Sequence, residues 1–97
     1  MRIINQRRLA FFVANHADSL KAINKWAETL TNGCYKQPHD LLREFPSADY
    51  VGNDRYVFDI KGNKYRIITI IVFEGGIIDV RFVGTHAEYN KINSKTV

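Results

Sequence analysis

Two short runs of the chain hold residues whose types and spacing suit chemistry. In Gly84-Thr85-His86-Ala87-Glu88-Tyr89, His86 and Tyr89 stand three apart and so share one face of a helical turn. Histidine titrates near neutral pH and moves protons, while tyrosine offers a hydroxyl and a ring on which a base can stack. Thr85 and Glu88 have the spacing of a capping box, so the same run can start the helix that presents them. The second run, Lys61-Gly62-Asn63-Lys64-Tyr65-Arg66, carries three cations and no anion in six residues. Such a density favours an anionic ligand.

Strands must position these residues. After Ser47 the apolar period is two: Tyr56, Phe58 and Ile60 alternate with Arg55, Asp59 and Lys61, the pattern of a half-buried strand. Gly62-Asn63 signals a two-residue hairpin, Lys64 to Glu74 a longer strand, Gly75-Gly76 a second turn, and Ile77 to Thr85 a third strand. The expectation is an antiparallel meander of three to four strands, with a very short strand, Arg2 to Asn5, adding at an edge. Tight turns would set Asp59 opposite Arg66, Val57 opposite Ile68, Arg81 opposite Ile70 and Thr85 opposite Arg66. Tyr56, Phe58, Ile60, Tyr65, Ile67 and Ile71 then face the core. The open face receives Arg55, Lys61, Lys64, Arg66 and Arg81 against Asp59 and Asp79, with Ile68, Ile70 and Val83 as an apolar floor. A basic groove for a nucleic-acid strand and an ordinary solvated sheet face, with Asp59 and Arg66 as a cross-strand ion pair, explain this face equally well.

The first half reads as helices. Leu9, Phe12 and Val13 recur at helical steps between Gln6 and about His16. Asp18 or Ser19 can cap a second helix with the stripe Leu20, Ile23, Ala27 and Leu30, ended by Asn32-Gly33, and the two are expected to form a hairpin. Pro38 offers a first-turn start for a short third helix, Asp40 to Phe45, stopped by Pro46. Helices first and strands second make an α+β chain.

Ninety-seven residues, 45% hydrophobic and 25% charged, allow one folded domain, residues 1–97, and exclude a dinucleotide fold with a substrate domain. The 14 Lys and Arg against 10 Asp and Glu give +4 and a pI near 9.4, a sign that favours phosphate-bearing or acidic partners. Each half, residues 1–53 and 54–97, carries seven basic and five acidic residues, so there is no charged tail. Cys34 is the single cysteine, no Cys/His cluster has zinc spacing, and no glycine-rich phosphate loop is present. The longest apolar stretch, Ile67 to Phe73, is seven residues with Thr69 inside it, against the ~20 that cross a bilayer. No apolar signal core follows Met1. A cytoplasmic protein without membrane contact is expected.

The run Phe58-Asp59-Ile60-Lys61-Gly62-Asn63-Lys64-Tyr65-Arg66-Ile67-Ile68, followed by Val80-Arg81-Phe82-Val83-Gly84-Thr85-His86-Ala87-Glu88-Tyr89, resembles the HigB toxins of type II toxin–antitoxin systems. Asp40-Leu41-Leu42, Phe45-Pro46-Ser47-Ala48-Asp49 and the basic start Arg2-Ile3-Ile4-Asn5 extend the resemblance over essentially the whole chain. Asn90 departs from it, since that family is expected to have an aspartate there. The resemblance implies a RelE-like α+β domain: an N-terminal helical hairpin and a short helix packed on a twisted antiparallel sheet, with a short C-terminal helix. It implies an endoribonuclease that cuts mRNA, typically on the ribosome, uses no metal or other cofactor, and is neutralised by a HigA-type antitoxin. Within that chemistry Arg66, with Lys61 or Lys64 or both, is the candidate for stabilising phosphate charge. His86 is the candidate acid or base, and Tyr89 its proton partner or a stacking platform. The catalytic set is therefore Arg66, His86, Tyr89 and Lys64. Lys61, Arg81 and Arg55 are the RNA-binding candidates, Arg81 on flanking RNA rather than on the scissile phosphate. The alternative is a non-catalytic module that holds RNA or a protein on the same basic face.

Overall fold

Alternating apolar residues make the sheet, and its order puts the last strand inside. The computed structural model describes residues 1–97: β1 (Arg2–Ile4), α1 (Arg7–Asn15), a 3-10 turn (Ala17–Ser19), α2 (Leu20–Asn32), α3 (Pro38–Glu44), β2 (Asp49–Gly52), β3 (Arg55–Ile60), β4 (Tyr65–Val72), β5 (Ile77–Thr85) and α4 (His86–Tyr89). The five strands lie in the order β1-β5-β4-β3-β2. β2 through β5 run antiparallel as a meander, whereas β1 pairs in parallel with β5, Arg2 to Ile4 beside Ile77 to Asp79. The sheet thus has one strand beyond the three to four expected, β2, and one parallel pair. β2 leaves no alternating pattern because it is a four-residue edge strand broken by a bulge, with Tyr50 54% exposed.

One face of the sheet is packed under the helices. Tyr56, Phe58, Ile60, Tyr65, Ile67 and Ile71 form a single cluster with Leu9 and Phe12 of α1, Ile23, Trp26 and Leu30 of α2, and Leu41 of α3. Trp26 and Phe45 both meet the Phe58 ring edge-on, at 5.4 and 5.3 Å. Pro38 occupies the first turn of α3, two residues earlier than Asp40, because a proline there loses no helical hydrogen bond. Gly33 ends α2 with φ −83° rather than a left-handed backbone. Its role is steric, since a Cβ there would run into the Tyr35 ring.

The β3–β4 register is the expected one, with Asp59 opposite Arg66 and Val57 opposite Ile68. Lys61 and Gly62 carry the left-handed φ values, +54° and +68°, and the turn closes from Lys64 N–H to Lys61 C=O at 3.3 Å. The β4–β5 register differs from expectation. Its last pair is Val72 with Ile77, so four residues rather than two make the loop, and a bulge shifts the ladder between Thr69–Val80 and Ile68–Phe82. Arg81 is the extra residue. Ile70 faces Asp79, not Arg81, and Arg66 faces Gly84, not Thr85. Because side chains alternate along a strand, this one-residue shift moves Val83 and Thr85 off the open face. Val83 packs against the core cluster.

The second sheet face is not open. Val57 and Ile68 are buried there, and residues 90–97 cross it. Arg55 Nη2 and Arg81 Nε both donate to the Val97 carbonyl, at 3.0 and 3.5 Å, and Asn53 Nδ2 donates to the Lys95 carbonyl at 3.0 Å. Ile92, Ser94 and Val97 are half-buried while Lys91, Asn93, Lys95 and Thr96 are exposed, so the segment turns its apolar side to the sheet.

Candidate active site

The end of the sheet where β4 starts and β5 stops gathers three of the candidate side chains. α4 is launched from Thr85 by a complete capping box: Glu88 N–H donates to Thr85 Oγ1 at 3.2 Å, and Thr85 N–H to Glu88 Oε1 at 2.8 Å. The bond from Thr85 N–H holds the Glu88 carboxyl below its ordinary range. A four-residue helix has too few hydrogen bonds of its own to persist, so this box determines whether His86 and Tyr89 share a face. Gly84, opposite Arg66, has to lack a side chain, because a Cβ would strike the Phe82 ring.

Tyr89 lies over Arg66, with the guanidinium carbon 4.6 Å from the ring centroid, and the His86 ring is 6.5 Å from the same ring. Asn90 Nδ2 lies 3.2 Å from His86 Nδ1. With the amide donating, Nδ1 is the acceptor and Nε2 is left free for a ligand. On its other side Arg66 meets Asp59, Nε to Oδ1 at 3.3 Å, and donates from Nη2 to Asn63 Oδ1 at 3.4 Å. The cross-strand ion pair is therefore present, and the same guanidinium sits half-buried against an aromatic ring beside an imidazole. Such a cluster offers positive charge, a proton-transfer group and a stacking surface within one patch.

Lys61 and Lys64 lie elsewhere. Both reach around the turn to the helix side and bind the Asp18 carboxylate, at 3.2 and 2.7 Å, and the Tyr65 hydroxyl donates to the other oxygen of Asp18 at 2.7 Å. These bonds, that from Lys64 foremost, then those from Tyr65 and Lys61, hold the Asp18 carboxyl far below the ordinary carboxylate range, and the same carboxylate raises Lys64 and Tyr65. Asp18 thus caps no helix: α2 starts at Ser19 without a side-chain cap bond, and Ser19 Oγ donates back to the His16 carbonyl at 2.7 Å. Nothing in the local sequence marks Asp18 as the partner of lysines 43 and 46 residues away. Only its place in the turn after α1, which the fold sets beside the β3–β4 turn, makes the contact. Arg55 and Arg81 lie at the far end of the covered face, where Arg81 also pairs with Asp79 at 3.2 Å. No three His, Cys, Asp or Glu side chains converge as metal ligands would.

A family model described as the HigB toxin, RelE-like toxic component of a toxin–antitoxin system, matches residues 19–92. That span includes both chemical runs and every strand but β1. The chain belongs to the HigB toxin family. It is 30% identical over 93 residues to the mRNA interferase toxin HigB of Escherichia coli K12, covering 93% of this chain and 88% of the relative. The mRNA interferase HigB of Shigella flexneri matches to the same extent. The mRNA interferase HigB of Escherichia coli CFT073 is 26% identical over 94 residues, 95% of this chain and 91% of the relative. The mixed α+β architecture, with its short C-terminal helix, is the RelE-like fold that the family description names. No helix is long and apolar enough to cross a membrane.

Proposed function

We propose that this protein is the toxin of a type II toxin–antitoxin pair, an endoribonuclease that cuts mRNA on the translating ribosome in the cytoplasm and is neutralised by a HigA-type antitoxin. The observation that carries the reading is the convergence of Arg66, Tyr89 and His86 at one end of the sheet, in a chain whose relatives are named mRNA interferases. In the reaction, the ribose 2′-oxygen attacks the adjacent phosphorus as the bond to the 5′-oxygen breaks. The proton leaves the 2′-hydroxyl and one is delivered to the leaving oxygen, so the products are a cyclic phosphate and a free 5′-hydroxyl.

His86 supplies the proton-transfer group through Nε2. Arg66 supplies fixed positive charge to the phosphorane oxygens, and its contact with Tyr89 limits the directions the guanidinium can take. The Tyr89 ring packs against a base or steadies Arg66. Lys64, with Lys61, adds charge at the rim once phosphate competes with Asp18, whereas Arg55 and Arg81, tied to the Val97 carbonyl and Asp79, take RNA only where it displaces those contacts. The ribosome, by orienting the message, lowers the share of catalysis that so small a domain must supply.

The test is induction in cells lacking antitoxin, with 5′-hydroxyl RNA ends mapped. Growth arrest and new ends inside translated messages are expected. His86→Ala is expected to lower the cleavage rate by about 10²–10⁴-fold with an unchanged circular dichroism spectrum, and Arg66→Ala to do likewise. Normal growth with an unchanged message profile would sink the reading. Salt-sensitive RNA binding by a protein that never cuts would leave a binding module in its place.

A further inference from the structure

A surface cleft runs between α1 and the second half of β5. β1 covers only Ile77 to Asp79 of the β5 edge, so from Val80 onward no strand lies on that side. The cleft is walled by Arg7, Arg8 and Phe11 on one side and by Arg81, Phe82 and Val83 on the other, ending at Glu88 of α4. Three features point to its occupant. Phe11 is 76% exposed, a large apolar ring left in water one helical turn from the cations Arg7 and Arg8, and neither arginine forms an ion pair. Glu88 is the only acid in the cleft, against the three cations Arg7, Arg8 and Arg81, which leaves the cleft positive. Its inner end is also the helix that carries His86 and Tyr89.

The alternative path away from those two residues, across the outer sheet face, is taken by residues 90–97, which draw Arg55 and Arg81 to the Val97 carbonyl. Resting on the ribonuclease reading, we infer that the α1–β5 cleft is an RNA subsite for the message nucleotides flanking the scissile phosphate. One base stacks on Phe11, and the phosphates beside it are held by Arg7 and Arg8. An aromatic face accepts any base and a guanidinium fork matches phosphate oxygens, so the subsite grips without reading sequence.

The test is fluorescence anisotropy of the purified protein with a short uridine-rich RNA made uncleavable by 2′-O-methyl groups, titrated over a range of salt. Phe11→Ala, at an exposed position that removes no core contact, is expected to weaken binding by about 5- to 150-fold, the contribution of one stacked base, with the salt slope unchanged. Arg7→Ala with Arg8→Ala is expected to flatten the log–log salt slope by about 1.4, at about 0.7 for each phosphate on a single strand. Lys21→Ala with Arg43→Ala, the same loss of charge on α2 and α3, is expected to leave it as it is. Unchanged affinity and slope in the cleft variants overturn the inference.

So does a defect confined to ribosomes without message, which would assign the cleft to ribosomal RNA. A loss confined to neutralisation by antitoxin overturns it as well, by making the cleft a protein seat. The two proposals fail separately. A wild-type protein that cuts message, with cleft variants that bind and cut as it does, keeps the nuclease and removes the subsite. A wild-type protein that binds through Phe11 and never cuts keeps the subsite and removes the nuclease.

Discussion

Asp18 holds three donors with one carboxylate, and the acid side of the stability profile follows from it. Its folded-state pKa lies below the ordinary value of 3.8 because Lys64, Tyr65 and Lys61 all donate to the ionised form. The stabilisation is therefore complete above 3.8 and drains away as the pH falls below it, when the unfolded chain takes up the proton first. Asp18→Asn is expected to have a lower Tm than the wild type at neutral pH, and the gap is expected to narrow steadily on acidification from about pH 5 to pH 2. Thermal melts across that range check it, and a gap independent of pH would mean that Asp18 acts by shape alone. Arg66 illustrates the opposite arrangement: its partner Asp59 is directly across the ladder, so the pair can be read from alternation and a turn. The Asp18 contacts depend on where two turns meet, which no local pattern encodes.

Among the elements, α4 is the least self-sufficient, and it carries two of the proposed catalytic residues, His86 and Tyr89. Thr85→Ala removes the acceptor for Glu88 N–H, and loss of such a cap costs about 1 kcal/mol. With only four residues in the helix, that loss frays it and takes Tyr89 off Arg66. Cleavage is expected to fall more than stability does, with a Tm decrease of about 4–8 °C, and the two measured side by side test the coupling. The capping box is legible in the sequence because both partners lie within four residues. β5 is legible as a strand because its apolar residues alternate, but the parity of its second half is not. A bulge adds a residue without altering composition, so Thr85 and Val83 land on the face opposite to the one that two tight turns imply. β2 escapes for the reverse reason: an edge strand half in water has no alternation to show.

For the molecule as a whole, a sheet with helices on one side exposes its other side unless something covers it. Here residues 90–97 cross it, held by the Asn53–Lys95 and Arg55–Val97 bonds, and Val57 and Ile68 on that face are buried. The basic face that the strand registers assemble is therefore partly an internal surface, and its cations at Arg55 and Arg81 are spent on backbone carbonyls before any ligand arrives. Removing residues 91–97 is expected to re-expose part of two aliphatic side chains, a loss of about 2 kcal/mol and of about 8–16 °C in Tm. An unchanged melting temperature would show that the segment only rests on the sheet. The helices-then-strands order, the three long strands and the core list follow from periodicity, because burial acts on each element separately. The covering of the second face depends on a segment with little periodicity of its own, which only the assembled sheet can attract.

The bulge also separates two workings that β5 otherwise carries together. Arg81 is the additional residue in the ladder: without it Phe82 would still follow Val80 onto Ile68, Gly84 would still face Arg66, and Thr85 would still face Tyr65. Its side chain, by contrast, walls the cleft and grips Asp79 and the Val97 carbonyl. A single-codon deletion at this position therefore leaves the pairing that launches α4 and takes one cation from the cleft wall, of which Phe82 and Val83 remain. The strand is modular at one point, where the charge of the cleft can change without re-registering the residues around His86.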